Sequence, residues 1–514
     1  MDNADLSNIN ALSNYVDADA MNVQITNNGN LTDVTGLDNL DASTVNQLNI
    51  SGNANLATCD SALLCEYIFL NEDQGLTLAN NGANCSSVED VEANCATVLD
   101  GLCPKGNLFY TQESQIIRYG EFYVNCTELE NLTVAMPDNT DLSMFDPLIS
   151  ANSLRLINVN GTSMNGFPNV QALNFLTIEG SSNLETLNIL GNLQGEVNRF
   201  VMVNNPELTT VNNLGTFDVN YLEIRGNNSL TDLSFLSNAN FVPGEYFAFG
   251  FNGNTTEFRA PYLQITNNHS LTSLNDLTIP SEVYSLLLSG NSLEDLSALS
   301  TIESIAYGLY MYSTEEIEDV DFLSNLTSFT VGQMYIHNNQ SLENLDGLNN
   351  VIGNLDNASY IEISENPNLA TCENSFICAL VDEFEAGGGG EDALVEDENV
   401  IVQSSSILSI YDNAPGCNSV EEIEIACETF STEIFLTSDV SIYPNPFTNQ
   451  LNIQLPAFVG NAKVSLVDIN GKVLFQQDMN EIGQITGLDQ LAKGLYFVQI
   501  LSEDGQKVTH KIIK

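Results

Sequence analysis

The chain has 514 residues and carries 68 Asp+Glu against 12 Lys+Arg, a formal net charge of −56. A field of that sign and size repels nucleic acids and anionic lipid surfaces, so DNA and RNA are excluded as partners. Hydrophobic residues make up 43%, enough for two to four folding units with real cores, and no apolar run of about 18 residues is present to form a transmembrane segment.

The first twenty residues, MDNADLSNINALSNYVDADA, have neither a basic n-region nor an apolar h-region, so a signal peptide is absent from this chain. For an exported protein this implies that the leader has been removed or that the N-terminal part is missing. Two related phrases follow, VQITNNGNLTDVTGL from Val23 and LNISGNANL from Leu48. Both read apolar, any, apolar, two residues, Asn, two residues, Leu, with further apolar residues at intervals of three. Alternation over a short segment specifies a strand, and a recurring unit with one strand per turn specifies a parallel β-solenoid.

Cys59 and Cys65, with five residues between them, and Cys85 and Cys95, with nine, close this block. Residues 1–99 therefore read as the C-terminal part of a first module ending in a cysteine-rich cap. A second, complete module is expected over 103–427. It opens with Cys103 and Cys126 and closes with Cys372, Cys378, Cys417 and Cys427, which reproduce the spacings of five and nine. Ten cysteines in repeated spacing read as a disulfide framework and an oxidising, exported location. Zinc is disfavoured by spacings unlike CxxC and by only three His residues. The four cysteines of a cap allow three pairings, which spacing leaves open. Between Cys378 and Cys417 the phrase EAGGGGED reads as a flexible insertion.

Within the second module the unit recurs as LEIRGNNSLTDLSFL from Leu222, LQITNNHSLTSLNDL from Leu263, LLLSGNSLEDLSAL from Leu286, MYIHNNQSLENLDGL from Met334 and IEISENPNL from Ile361. Taking the second apolar residue as anchor, the rungs phase at Val134, Val159, Ile178, Val203, Ile224, Phe249, Ile265, Leu288, Met311, Ile336 and Ile363. An Asn stands three residues after the anchor at Asn28, Asn53, Asn227, Asn252, Asn268, Asn291, Asn339 and Asn366. A buried turn must satisfy its backbone N–H and C=O groups, and an amide both donates and accepts, so these residues are expected to form an internal structural ladder. Thr162, Ser181 and Thr314 can imitate the amide in part, whereas Pro137 and Pro206 cannot.

If Met334 and Ile336 point inward, Tyr335 and His337 point outward, and the preceding rung puts Tyr310 and Tyr312 out. Rungs stack about 4.8 Å apart, which sets Tyr310 against Tyr335 and Tyr312 against His337. These four, with Leu287 beside them and Tyr221, Tyr262 and Tyr360 at the margin, are the candidate ligand-binding residues, because aromatic clusters on a rigid surface suit protein hot spots and sugar stacking. The competing reading is that Tyr simply favours strands.

Residues 428–436 read as a linker. From 437 to 514, alternating apolar runs punctuated by PNP, NGK and EDG read as a small antiparallel β-sandwich. Its six basic residues nearly balance its seven acids, leaving about −55 on the rest, so the two pieces have different tasks. Enzymatic chemistry is not expected: His269, His337 and His510 make no believable triad, and phosphate-cradling Gly loops are absent. No cofactor is implied. Acidic loops such as NEDQG and STEEIEDVD could offer Ca²⁺ oxygen ligands, but without EF-hand spacing they read as solvated acidic surface.

The pattern L-x-I-x-x-N-x-x-L-x-x-L resembles the receptor L-domain and leucine-rich-repeat class. CPKGNLFYTQESQIIRYGEFYVNCTELENLTV and PGCNSVEEIEIAC look like the opening and closing of receptor-L-type modules in exported Bacteroidetes proteins. That resemblance implies a mainly β fold of right-handed parallel β-solenoid modules with disulfide-bonded caps. DSA at Asp60–Ala62 resembles a short O-glycosylation site of such bacteria. SIYPNPFTNQLNIQL, AKVSLVDINGKVL, LAKGLYFVQI and HKIIK resemble, in order, the segments of the type A sorting domain of the type IX secretion system. The resemblance implies Tyr443, Pro444, Asn445, Pro446, Gly471, Lys472, Gly494, Tyr496, Lys511 and Lys514 as secretion-signal residues. It also implies the type IX machinery as partner, and secreted or cell-surface localisation. The whole reads as an exported recognition or adhesion protein that binds a protein or glycan through the outward sheet. A structural envelope spacer and a non-catalytic arm of a larger enzyme are the alternatives.

Overall fold

The computed structural model describes residues 3, 5–14, 21–71, 74–136, 141–159, 161–212, 214–246, 256–258, 261–330, 332–354, 360–387, 394–397, 400–403, 406–430, 440–455, 461–469, 472–480, 482–502 and 507–514. The chain divides into two compact units, Met1–Glu424 and Ile425–Lys514.

In the first unit, β1 (Met21–Thr26), β2 (Val45–Ser51) and β3 (Leu76–Ala79) form a parallel sheet in that order, with α1 (Ala62–Asn71) between β2 and β3 and α2 (Val88–Val98) after β3. The sequence phasing of this block stops at β2. Its third strand is written in the same code, since LTLANN puts Asn81 three residues after the buried-side Leu78.

A much longer parallel sheet follows. Its members are β4 (Asn107–Tyr110), then after α3 (Glu113–Phe122) β5 (Glu128–Val134) and β6 (Ser150–Ile157). Past β7 (Ser163–Gly166) come β8 (Ala172–Glu179), past β9 (Thr186–Ile189) β10 (Glu196–Val203), and past β11 (Thr210–Val211) β12 (Asp218–Arg225). After β13 (Asn240–Phe241) and the hairpin of β14 (Gly244–Tyr246) and β15 (Thr256–Phe258) come β16 (Tyr262–Thr266), β17 (Glu282–Ser289) and β18 (Ser304–Tyr312). After β19 (Ser328–Thr330) comes β20 (Gln333–His337), and after β21 (Ile352–Asn354) comes β22 (Tyr360–Ser364). Then α4 (Ser375–Gly387), β23 (Leu394–Asp397) and β24 (Val400–Gln403) precede β25 (Ser406–Tyr411) and α5 (Val420–Phe430). Strands β4, β5, β6, β8, β10, β12, β16, β17, β18, β20, β22 and β25 each pair in parallel with the next. Strands β7, β9 and β11 form a second, short parallel sheet.

The inward columns are uniformly apolar. Leu222 and Ile224, Leu263 and Ile265, Leu309 and Met311, and Met334 and Ile336 are all at most 1% exposed. Each such side chain contributes roughly 1.5–3 kcal/mol by leaving water, so one rung supplies several kcal/mol of the drive for its own stacking. From many of these strands the chain leaves through a residue in the left-handed region, such as Asn27, Gly52, Asn204, Gly226, Asn267, Gly290, Ser313 or Asn338. Gly and Asn tolerate that conformation best. The doubled Asn-Asn or Gly-Asn of the repeat thus has two tasks: the first residue makes the turn and the second enters the core.

The second residue builds a hydrogen-bonded column. Backbone N–H and Nδ2 of Asn28 both donate to Asn53 Oδ1, at 2.9 and 3.1 Å, and those of Asn268 donate to Asn291 Oδ1 at the same distances. Asn339 does the same to Asn366, and Asn366 to Asn413. The freed Nδ2 valence returns to the previous rung, as in Asn268 to the Ile224 carbonyl at 3.0 Å. Buried backbone groups of the turns thus find partners in the column, as they must away from water. Thr314 substitutes by donating its N–H and Oγ1 to Asn339 Oδ1, and Ser181 Oγ accepts the Val159 N–H.

The register corrects the phasing at several rungs. Leu156 lies opposite Ile178, so Leu156 is the anchor; Val159 occupies the ladder position expected for Thr162. Met202, not Val203, lies opposite Ile224, which places Asn205 in the column and moves Pro206 out of it. Runs of apolar residues at 156–157 and 200–203 hide the phase, because alternation is lost where both faces are covered. Phe249 and Asn252 lie outside the described residues, as does Pro137. The column runs directly from Asn227 to Asn268, and β12 pairs directly with β16. The segment between is an insertion whose β14–β15 hairpin contacts β10 and β12.

Disulfides tie the block ends: Cys59–Cys85, Cys65–Cys95, Cys103–Cys126 and Cys372–Cys417, with Cys378 and Cys427 also disulfide-bonded. The final edge is covered by β24, which pairs antiparallel with β25, and by β23 beyond it, so the exposed ladder is not left as a pairing template. Much of EAGGGGED lies outside the described residues, and α5 extends three residues into the expected linker. Ser61 of DSA is buried and donates its hydroxyl to Asp38 at 2.6 Å, which leaves it poorly placed to carry a glycan.

In the second unit, β26 (Ser441–Tyr443), β27 (Gln450–Gln454), β28 (Ala462–Asp468), β29 (Val473–Met479), β30 (Ile482–Thr486), β31 (Leu495–Leu501) and β32 (Lys507–Ile513) make two antiparallel sheets, β26–β27–β30 and β29–β28–β31–β32. Leu451, Ile453 and Ile485 from one, with Val464, Val498 and Ile512 from the other, share one core.

Candidate functional site

Successive outward residues of the long sheet fall into columns. The register aligns Leu287, Tyr310, Tyr335, Glu362 and Ser409 in one column and Ser289, Tyr312, His337, Ser364 and Tyr411 in the next. Tyr310 is thus opposite Tyr335 and Tyr312 opposite His337, but the rings do not all meet along those rows. Tyr335 touches Tyr312 edge-on at 5.8 Å, His337 at 5.2 Å and Tyr360 at 6.4 Å between centroids. Tyr310 turns the other way: its ring covers Gly308, where no side chain obstructs it, and its hydroxyl donates to Gln333 Oε1 at 2.7 Å. The aromatic group is therefore Tyr312, Tyr335, His337 and Tyr360. Tyr221 and Tyr262 stack on each other at 4.6 Å elsewhere on the sheet, beside the insertion hairpin.

At the centre of the aromatic group sits Glu362, which sequence reasoning missed because a Glu at an outward strand position is normally exposed. It is 5% exposed. Tyr360 donates to its Oε2, while Ser364 and Tyr411 donate to Oε1 at 2.5 and 3.0 Å. His337 Nδ1 lies 3.5 Å from Glu362 Oε1 and 2.8 Å from Ser364 Oγ, and Nε2 is 3.8 Å from Glu365. Burial, then the neighbouring Glu362 carboxylate, push the Tyr335 and Tyr360 phenols above the ordinary range. The hydroxyls therefore stay protonated, as donors must. Ser364 and Glu362 both meet His337 through Nδ1. Among the described residues no cluster of three or more His, Cys, Asp or Glu could hold a metal ion.

The C-terminal unit presents a second kind of site. Tyr443, Pro444, Asn445 and Pro446 are exposed at the end of β26. Asn445 Oδ1 accepts the Ile513 N–H at 2.9 Å, Phe447 N–H donates to the Ile513 carbonyl at 2.8 Å, and Lys514 exchanges backbone bonds with Gly494. Tyr496 is buried and donates its hydroxyl to the Ala492 carbonyl at 2.7 Å. Lys472 and Lys511 are exposed, and Gly471 lies outside the described residues. The YPNP turn and the last strand are thus one construction at the chain's end. Residues 441–514 match the secretion system C-terminal sorting domain family. The sorting domain directs export by type IX secretion, to the cell surface or the medium, and implies contact with that machinery. No described helix is long and apolar enough to cross a membrane. No curated protein matches the chain.

Proposed function

We propose that the sorting domain delivers a non-enzymatic recognition protein. In this reading residues 1–99 and 103–427 are receptor-L-like coils of a parallel β-solenoid, and the outward face near their C-terminal end binds a protein or glycan. The observation that carries the reading is the grouping of Tyr312, Tyr335, His337 and Tyr360 around buried Glu362 on the sheet's outer face. Large amphipathic rings held by a stacked sheet supply contact area at low entropic cost, and the rigid rungs beneath them limit reorganisation on binding.

The test is an array of bacterial-surface and host glycans and proteins probed with the intact chain and with Tyr312→Ala/Tyr335→Ala/His337→Ala. Binding lost in the triple variant supports the reading. Equal binding by both proteins contradicts it.

A further inference from the structure

The outward face carries the same pair twice. Tyr221 and Glu223 on β12 stand where Tyr360 and Glu362 stand on β22, three residues and one residue before the buried anchors Ile224 and Ile363. In both, the tyrosine hydroxyl donates to Oε2 of the glutamate two residues on. Both carboxylates are almost wholly buried.

The first copy is filled by the molecule itself. Arg199, opposite Tyr221 on the preceding strand, lays its guanidinium over the Tyr221 ring at 5.0 Å and reaches Glu223 Oε2 at 3.5 Å. Arg225, two residues after Glu223, donates Nε to Oε1 at 3.1 Å. At the second copy those two positions hold Gln333, opposite Tyr360, and Ser364. Gln333 is engaged by the Tyr310 hydroxyl. Among the described residues, the group nearest Glu362 that can carry positive charge is His337. A buried carboxylate held by three hydroxyls and an imidazole, without the guanidiniums that serve its counterpart Glu223, is an arrangement to which a partner's guanidinium would add charge-assisted bonds.

We propose that the Tyr360–Glu362 pair, flanked by Tyr335 and Tyr312, is a receptacle for an arginine side chain of a partner protein, the intermolecular counterpart of Arg199 on Tyr221–Glu223. This rests on the recognition face described above and names its ligand chemistry. A guanidinium combines stacking on a ring with hydrogen bonds to carboxylate, which an ammonium does less well. The chain's net charge of −56 steers cationic partners toward it.

The probe is a fluorescein-labelled Gly-Arg-Gly-Arg-Gly peptide, with its lysine and citrulline counterparts, titrated against the full chain at near-physiological salt. The proposal expects saturable binding, with the citrulline peptide weaker by about tenfold or more. Glu362→Gln and Gln333→Arg should each weaken the arginine peptide by a similar factor, the latter by supplying the missing guanidinium from within. Thermal unfolding reports whether Glu362→Gln still folds, and Gln333→Arg decides the matter if it does not. Wild-type affinity in Gln333→Arg overturns the proposal, because attraction by the overall field would survive a change of one charge. Partner binding that is lost in the Tyr312/Tyr335/His337 variant but unchanged in Gln333→Arg also overturns it while leaving the recognition face standing.

Discussion

Asn227 donates its backbone N–H and its Nδ2 to the same oxygen, Oδ1 of Asn268, although 41 residues separate the two in the chain. Most rungs of the column are spaced 22 to 28 residues apart, as from Asn205 to Asn227 or Asn339 to Asn366. The insertion between Asn227 and Asn268 is accommodated outside the column, so the interior continues as though it were absent. Pairing inside specifies the stack, while loops outside vary in length at low entropic cost.

Removing one amide should therefore cost more than its own bonds. Asn268→Ala removes the acceptor of the Asn227 backbone N–H and the side-chain donor to the Ile224 carbonyl, and should lower stability by about 3 kcal/mol. Exposed Asn275→Ala should stay within about 1 kcal/mol. Urea unfolding of the full chain compares them, and Asn268→Thr should fall between, as Thr314 already serves in this position.

Gly290 turns with φ +56°, and a Cβ there would meet Asn267 Oδ1 of the neighbouring rung at 2.2 Å. Gly290→Ala should cost about 1–2 kcal/mol or more, from left-handed strain and the clash. Gly29→Ala meets nothing within 4 Å and should be close to neutral by the same unfolding measurement.

His510 in the sorting domain is half-buried, its Nε2 has no partner among the described residues, and burial holds its pKa below the ordinary value of 6.5. A base with a depressed folded-state pKa adds nothing at pH well above 6.5. As pH falls below that value the unfolded chain takes up the proton more readily, and stability declines. Pulse proteolysis of the full chain, following the C-terminal unit from pH 8 to about 5.5, should show this decline, and His510→Gln should flatten it.

Deleting 441–514 should leave the remainder inside the cell envelope, with surface labelling of intact cells reading the loss. Surface display of the deleted chain at the normal level would contradict export through this domain.

Much of this architecture was legible because each rung repeats a code with separable parts. Alternating apolar residues mark the strand, a Gly or Asn marks the turn, and a second Asn marks the buried acceptor. Phase was lost where outward residues are also apolar, as at Val201 and Val203, both buried on the outer face. Asn413 was missed because 47 residues separate it from Asn366. The aromatic face was legible from strand parity, but the rotamer of Tyr310 depends on Gly308 and Gln333, and the burial of Glu362 depends on three hydroxyls from two strands. Parity assigns a face and says nothing of which ring leans on which neighbour.

The location of recognition is the central claim, and hydroxyl-radical footprinting of the full chain with and without its array-identified ligand tests it most directly. The account predicts that Tyr312, Tyr335 and Tyr360 are protected by the ligand while exposed Phe109, at the opposite end of the same sheet, is unchanged. Protection elsewhere with those three tyrosines unaltered would contradict it.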